Sequence, residues 1–169
     1  VPFIAMRFVD GVTLSQVIAT TGDRRPSREE IHERVGYAAV IARALAAAHA
    51  SGLIHRDVKP GNIMIDVTGR PVLLDFGAAR DLDVATISRD GSVVGTLAYM
   101  SPEQLEGGDL DGRTDVYSLG VTLFELVTGE RPHRARTFES LLREIREGAG
   151  RDAATINPAV DRDLAAVTL

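Results

Sequence analysis

The stretch of this sequence with the most chemistry in it is His55-Arg56-Asp57-Val58-Lys59-Pro60-Gly61-Asn62, followed by Asp75-Phe76-Gly77. It supplies a carboxylate (Asp57), a cation two residues on (Lys59), an amide oxygen (Asn62) and a second carboxylate (Asp75). A carboxylate with an amide oxygen suits Mg2+, a hard cation usually held by few protein ligands plus phosphates. Asn62 and Asp75 are the candidate pair. A separate carboxylate beside a lysine suits a hydroxyl nucleophile facing a transferring phosphoryl group. Pro60 and Gly61 prevent a helix, so these side chains stand on a loop.

The flanking segments must position that loop. Residues 1–9 are apolar and β-rich, and Asp10-Gly11 reads as a turn. Thr13-Leu14-Ser15-Gln16 fits a capping box, opening a short helix that Gly22 ends. Ser27-Arg28-Glu29-Glu30 is a second box. Behind it Ile31, Val35, Ala38, Ala42, Leu45 and His49 form the stripe of a long amphipathic helix that leads into the loop and closes at Gly52. The Ala-rich residues 44–48 read as tight helix packing. Residues 63–65 and 72–74 are apolar runs around a turn-rich segment and predict a β-hairpin, with Asp75 meeting Asn62 across its base. Residues 81–111 are polar and Gly-rich and read as a long functional loop. From Thr114, Val116, Leu119, Val121, Leu123, Phe124 and Val127 surround a helix on all sides, which predicts burial; Gly129 stops it. Phe138, Leu141, Leu142 and Ile145 mark another amphipathic helix, and residues 164–169 begin one more. The expected class is α+β, mostly helical, with a short hairpin.

Composition narrows the function classes. The 169 residues carry 19 Lys and Arg against 24 Asp and Glu, a net charge of −5, which argues against a nucleic-acid binder. There is no cysteine, which excludes disulfides, thiolate zinc sites and cysteine nucleophiles. No apolar run approaches the ~18 residues of a membrane span.

The motifs resemble the protein kinase family. His55-Arg56-Asp57 with Lys59 and Asn62 is similar to the catalytic loop, and Asp75-Phe76-Gly77 to the metal-binding motif. Five fixed residues at that spacing arise by chance in roughly one sequence in 20,000 on average usage. Ser101-Pro102-Glu103 resembles the end of the activation segment, usually Ala-Pro-Glu, and Asp115-Val116-Tyr117-Ser118-Leu119-Gly120 the start of a buried central helix. The sequence style, HRDVKPGNIMID and GTLAYMSPEQL, is that of bacterial serine/threonine kinases.

That resemblance implies a kinase-like C-terminal lobe over residues 10–169, cut in a late helix, with residues 1–9 as the last N-lobe strand and hinge. The Gly-rich loop and strand lysine of a complete kinase would precede this sequence, so the 169 residues alone are expected to be inactive. ATP and Mg2+ or Mn2+ are the implied cofactors, protein Ser/Thr hydroxyls the acceptors, and the cytoplasm the location. Asp57 would orient the acceptor hydroxyl, Lys59 assist at the phosphate, and Asn62 with Asp75 hold the metal. Met6 would be the gatekeeper, backbone groups of Arg7 and Val9 would bond the adenine, and Met64 would form its floor. Asp115 would accept backbone N–H bonds from the catalytic loop. Glu103 would pair with an arginine beyond Leu169, and Thr96 would bond Asp57 and Lys59. Arg56 would receive charge from an activation segment whose candidates are Thr86, Ser88, Asp90 and Ser92. His55 would pack and hydrogen-bond instead of carrying protons, His32 and His49 would be structural or solvated, and Arg131, His133, Arg134 and Arg136 would form a solvated basic surface. Two alternatives remain: a catalytically silent kinase-like binding module, and a small-molecule phosphotransferase of the aminoglycoside or choline type. Lys59 and Ser101-Pro102-Glu103 count against the second.

Overall fold

The computed structural model describes residues 8–76, 95–148 and 150–168. In chain order it runs β1 (Gly11–Thr13), α1 (Leu14–Thr20), α2 (Arg28–Ala50), β2 (Ile63–Asp66), β3 (Pro71–Leu73), α3 (Pro102–Glu106), α4 (Gly112–Thr128), α5 (Phe138–Arg146), α6 (Ala153–Ile156) and α7 (Arg162–Val167). Short 3-10 turns lie at Pro60–Asn62 and Gly95–Tyr99. The class is α+β and mostly helical, as expected.

Helix starts follow the sequence signals. Thr13 and Ser27 each accept the backbone N–H three residues on, and Gln16 and Glu30 reach back to the cap N–H groups, which completes both boxes. Gly129 ends α4 in the left-handed conformation. The hairpin forms with Ile63 opposite Leu73 and Ile65 opposite Pro71.

A third strand was not expected. Asp10-Gly11 is no turn, because Gly11 opens β1, which pairs antiparallel with β2 and sets Thr13 opposite Met64. A side chain on Gly11 would place its Cβ 2.0 Å from the Ile65 carbonyl oxygen, so only glycine allows that approach. The polar stretch over 81–111 also ends in structure: Ser101 caps α3 with a third box, completed by Gln104. α6 was likewise not anticipated.

The stripe of α2 differs from the apolar pattern. Its buried residues are Ile31, Arg34, Ala38, Ile41 and Leu45, while Ala42 is exposed. Arg34 belongs to the buried face because its guanidinium donates to the Leu126 carbonyl at 2.8 Å and the Thr21 hydroxyl at 2.6 Å, so a cation replaces an apolar residue there. Ala44, Ala46 and Ala47 are exposed, so that run marks helix propensity and not packing.

α4 is the central helix. Phe124, Leu126 and Val127 are fully buried, each contributing roughly 1.5–3 kcal/mol by burial. Its burial is one-sided at the start, since Val116 stays 63% exposed. One core cluster joins Ile31 and Ala38 of α2 with Leu123, Phe124 and Val127 of α4, together with Ala153 and Val160. A second joins Leu14, Ile41, Leu45, Val58, Ile63 and Leu126, which clamps the hairpin and the loop before it onto both long helices.

Candidate active site

Gly112 lets the N-terminus of α4 approach α2, because a Cβ there would lie 2.7 Å from His49 Nδ1. That approach brings Asp115, fully buried on α4, to the end of α2 and the loop after it. The Asp115 carboxylate accepts the backbone N–H groups of His55 at 2.8 Å and Arg56 at 2.7 Å, and lies 2.7 Å from His49 Nε2. A buried carboxylate meeting two loop N–H groups and a side chain of α2 is stabilised where it sits and fixes the loop against that helix. His49 is thus structural, through a partner 66 positions away that sequence reading did not identify.

His55 is buried and holds the loop from the other side. Its Nδ1 accepts the Asp57 N–H at 3.2 Å while its Nε2 lies 2.7 Å from the Leu74 carbonyl oxygen. Both ring nitrogens are thus engaged, one by the loop and one by the residue after β3, which leaves neither free to relay protons. Its ring meets Phe76 edge-on, with centroids 4.7 Å apart.

Asp57 follows. Its Oδ2 accepts Lys59 Nζ at 2.7 Å and Asn62 Nδ2 at 2.7 Å, and Asn62 Nδ2 also reaches the Asp57 carbonyl at 2.9 Å. The other oxygen, Oδ1, takes no bond from the described residues. Lys59 Nζ also donates to Thr96 Oγ1 at 3.0 Å, so Thr96 contacts Lys59 directly and Asp57 only through it. Both acceptors of Asn62 Nδ2 belong to Asp57, which orients the amide and leaves Oδ1 as an oxygen ligand. Asn62 O accepts the Leu74 N–H at 2.9 Å, which docks the segment bearing Asp75 beside Asn62. Asp75 is exposed, and no described side chain bonds its carboxylate.

Two non-glycine residues of the site adopt left-handed backbone, Arg56 at φ 70° and Asp75 at φ 62°. Each such residue costs on the order of 1–3 kcal/mol and persists only where surrounding contacts over-determine it. Around Arg56 those contacts include the bonds to Asp115 and one from Gln104, whose Nε2 donates to the Arg56 carbonyl at 2.8 Å. Gln104 was missed among the site residues, though its capping box was legible. The Arg56 Nε is buried with no partner among the described residues.

Met64 is half-buried and alternates with buried Ile63 and Ile65, so it lies on the sheet face away from the core. Val9 is half-buried. Met6, Arg7, Thr86, Ser88, Asp90 and Ser92 lie outside the described residues. Glu103 accepts Thr114 Oγ1 at 2.7 Å. Burial pushes the Glu103 carboxyl up, and bonds from Thr114, its own backbone N–H and Ser101 outweigh that, so it ends below its ordinary value. His32 is exposed, in accord with a solvated role.

The protein kinase domain family matches residues 2–163. The chain is 43% identical over 132 residues to the serine/threonine-protein kinase PknB of Mycobacterium leprae, covering 78% of this chain and 20% of that protein. It is 44% identical over 131 residues to PknL of Mycobacterium tuberculosis, covering 78% of this chain and 32% of the relative. Among solved structures it is similar to the Mycobacterium tuberculosis PknI kinase domain, a double mutant, with a TM-score of 0.66, 28% identity, and 96% of this chain and 52% of that one covered. The chain therefore spans a fifth to a third of these curated relatives. No helix among the described residues is long and apolar enough to cross a membrane.

Proposed function

The chain belongs to the protein kinase family and resembles its bacterial serine/threonine members, and on that premise we propose that it forms the catalytic lobe of an ATP-dependent serine/threonine protein kinase. The observation that carries this reading is the Asp57 carboxylate, held through Oδ2 by Lys59 and Asn62. Oδ2 is anchored, and Oδ1, which takes no bond from the described residues, would receive the hydroxyl. A substrate Ser or Thr O–H pointed at Asp57 gives up its proton there as its oxygen bonds the γ-phosphorus and the bond to the β-phosphate's bridging oxygen breaks. Lys59, fixed between Asp57 and Thr96, offsets the negative charge of the transferring group.

Asn62 Oδ1 and the Asp75 carboxylate are the oxygens that would hold Mg2+, and both suit that ion in type and number. Mg2+ bound there would neutralise phosphate charge. Met64 and the backbone of Arg7 and Val9 would receive the adenine beside Met6. The 169 residues alone hold the floor of this nucleotide site, so the isolated chain is expected to transfer no phosphate.

Arg56 is proposed as the receiver of activation-segment charge, supplied in part by Asp90 and completed by phosphate on Ser92, with Thr86 and Ser88 as further acceptors. Its Nε, buried and without a partner among the described residues, supports that role, because a guanidinium N–H out of water is stabilised by an anion.

The test is transfer of labelled γ-phosphate from ATP to a Ser/Thr protein substrate by the full-length protein, followed by phosphoamino-acid analysis. Phosphoserine or phosphothreonine is expected. ATP binding without transfer would favour the silent binding module, and transfer only to a small aminoglycoside or choline-like hydroxyl would favour the other alternative.

A further inference from the structure

The segment after α4 carries Arg131, Arg134 and Arg136, and Arg151 stands across from it. Together with Glu125, Glu130 and His133 they line an open groove of about 890 Å³. Four guanidiniums face two carboxylates, so the groove carries an excess of two positive charges on a chain whose net charge is −5. The balance is uneven in a telling way. Glu130 accepts Arg25, Arg134 and Arg151, and neither Arg131 nor Arg136 makes an ion pair or a side-chain hydrogen bond among the described residues. Half-buried Glu125 accepts the Tyr99 hydroxyl and feels the charge of Arg131, yet burial still pushes its carboxyl up, so it offsets Arg131 only in part.

His133 departs from the solvated surface expected of this run: its side chain is nine-tenths buried, and its Nδ1, without a hydrogen bond among the described residues, lies 3.7 Å from the Glu144 carboxylate.

The groove is tied to the catalytic carboxylate. Glu125 on its wall holds Tyr99, whose carbonyl also accepts Ser118 Oγ at 2.8 Å. Tyr99 closes the 3-10 turn that begins at Gly95, and Thr96 of the same turn touches Lys59 beside Asp57. An extended polypeptide with its hydroxyl at Asp57, following this turn, would bring side chains a few residues away over the groove.

We propose that this groove selects protein substrates bearing aspartate or glutamate within a few residues of the phosphorylated hydroxyl, with Arg131 and Arg136 pairing their carboxylates. The planar fork of arginine matches a carboxylate in two bonds, and a lysine surface would not do this. The proposal rests on the kinase reading above and adds specificity to it.

The test uses the full-length protein and serine peptides flanked by glutamate, glutamine or lysine. It reads kcat/KM, and it reads affinity separately by fluorescence anisotropy on versions with alanine for serine. The glutamate peptide is expected to lead the glutamine peptide about five- to tenfold in both readouts, as for two partly exposed ion pairs, and to lose that lead as salt rises. R131E/R136E should invert the order in favour of lysine. R131Q/R136Q, a milder change should the reversal fail to fold, should bring the glutamate-to-glutamine ratio to about one. An active enzyme that treats glutamate and glutamine peptides alike overturns the groove proposal and spares the kinase reading. Arginine-dependent binding of the glutamate peptide with no transfer to any peptide does the reverse. Stronger preference for a phosphoserine-flanked peptide, or for anionic vesicles, also overturns it.

Discussion

Asp115 and Glu130 are both carboxylates that gather three nitrogen donors, but they gather them differently. Asp115 is fully buried and takes two backbone N–H groups plus His49, all delivered by elements packed in the core. Glu130 lies at the surface with its side chain 26% exposed, and takes three long arginines, two of them more exposed than itself. In the first region charge is spent on position: low dielectric and fixed donors leave the loop before Asp57 one geometry. In the second, water screens each pair and side-chain entropy offsets much of the gain, so density of ion pairs says little about rigidity. The proposed catalytic carboxylate, Asp57, sits on the first kind of support. The proposed recruiting surface sits on the second.

The sharpest way to break this contrast is at the carboxylate that the buried support positions. Asp57→Asn in the full-length protein is expected to lower kcat by ~10²–10⁴ with little change in ATP affinity, since it removes the proton acceptor and keeps the shape. Steady-state kinetics read this, and a variant within threefold of wild type removes Asp57 from its role.

Next is the support itself. Asp115→Asn turns one acceptor oxygen toward the His55 and Arg56 N–H groups into a donor, and should cost about 3 kcal/mol of stability. Urea unfolding measures it, and a midpoint unchanged from wild type would mean that the buried region is no stiffer than the exposed one.

Thr96→Val tests the link between Lys59 and the turn that leads to the groove. Losing one hydroxyl partner of Lys59 is expected to cost ~1 kcal/mol, a several-fold drop in kcat/KM on protein substrates, with the melting temperature held. Equal activity would place Lys59 by Asp57 alone.

The smallest effect belongs to Glu130. Bonds from Arg151, Arg134 and Arg25 lower its carboxyl to about 2 from an ordinary 4.5. A folded-state value below the unfolded one stabilises the fold above about pH 4.5, and that contribution is lost as pH falls toward 2. Because the group is partly exposed, Glu130→Gln should cost less than ~1 kcal/mol at neutral pH and flatten the acid limb of the stability curve. Thermal melts across that window decide it; a loss of several kcal/mol would make the surface cluster as structural as Asp115.

Legibility followed the range of the interactions. Capping boxes at Thr13 and Ser27 and the stop at Gly129 were readable because each is satisfied within a few residues. The mutual contact of Asp57, Lys59 and Asn62 was readable because one short loop carries them all. β1 was hidden because pairing with β2 depends on Gly11 approaching Ile65, and a lone Asp-Gly pair signals a turn equally well. Arg34 was hidden because hydropathy counts a guanidinium as surface, whereas here it donates to the Leu126 carbonyl and the Thr21 hydroxyl inside the core.

The order and spacing of residues determined which groups could act together, since Asp57, Lys59 and Asn62 lie within one turn-bound segment whose length alone keeps them close. Folding decided the rest. That Asp115 reaches across 59 positions to the Arg56 N–H, that Asp57 Oδ2 is anchored while Oδ1 takes no bond from the described residues, and that Arg131 and Arg136 line a groove without an ion pair among the described residues all depend on how α2, α4 and the hairpin pack. Packing density and the cost of an unpaired buried polar group select among arrangements that a linear pattern leaves equal.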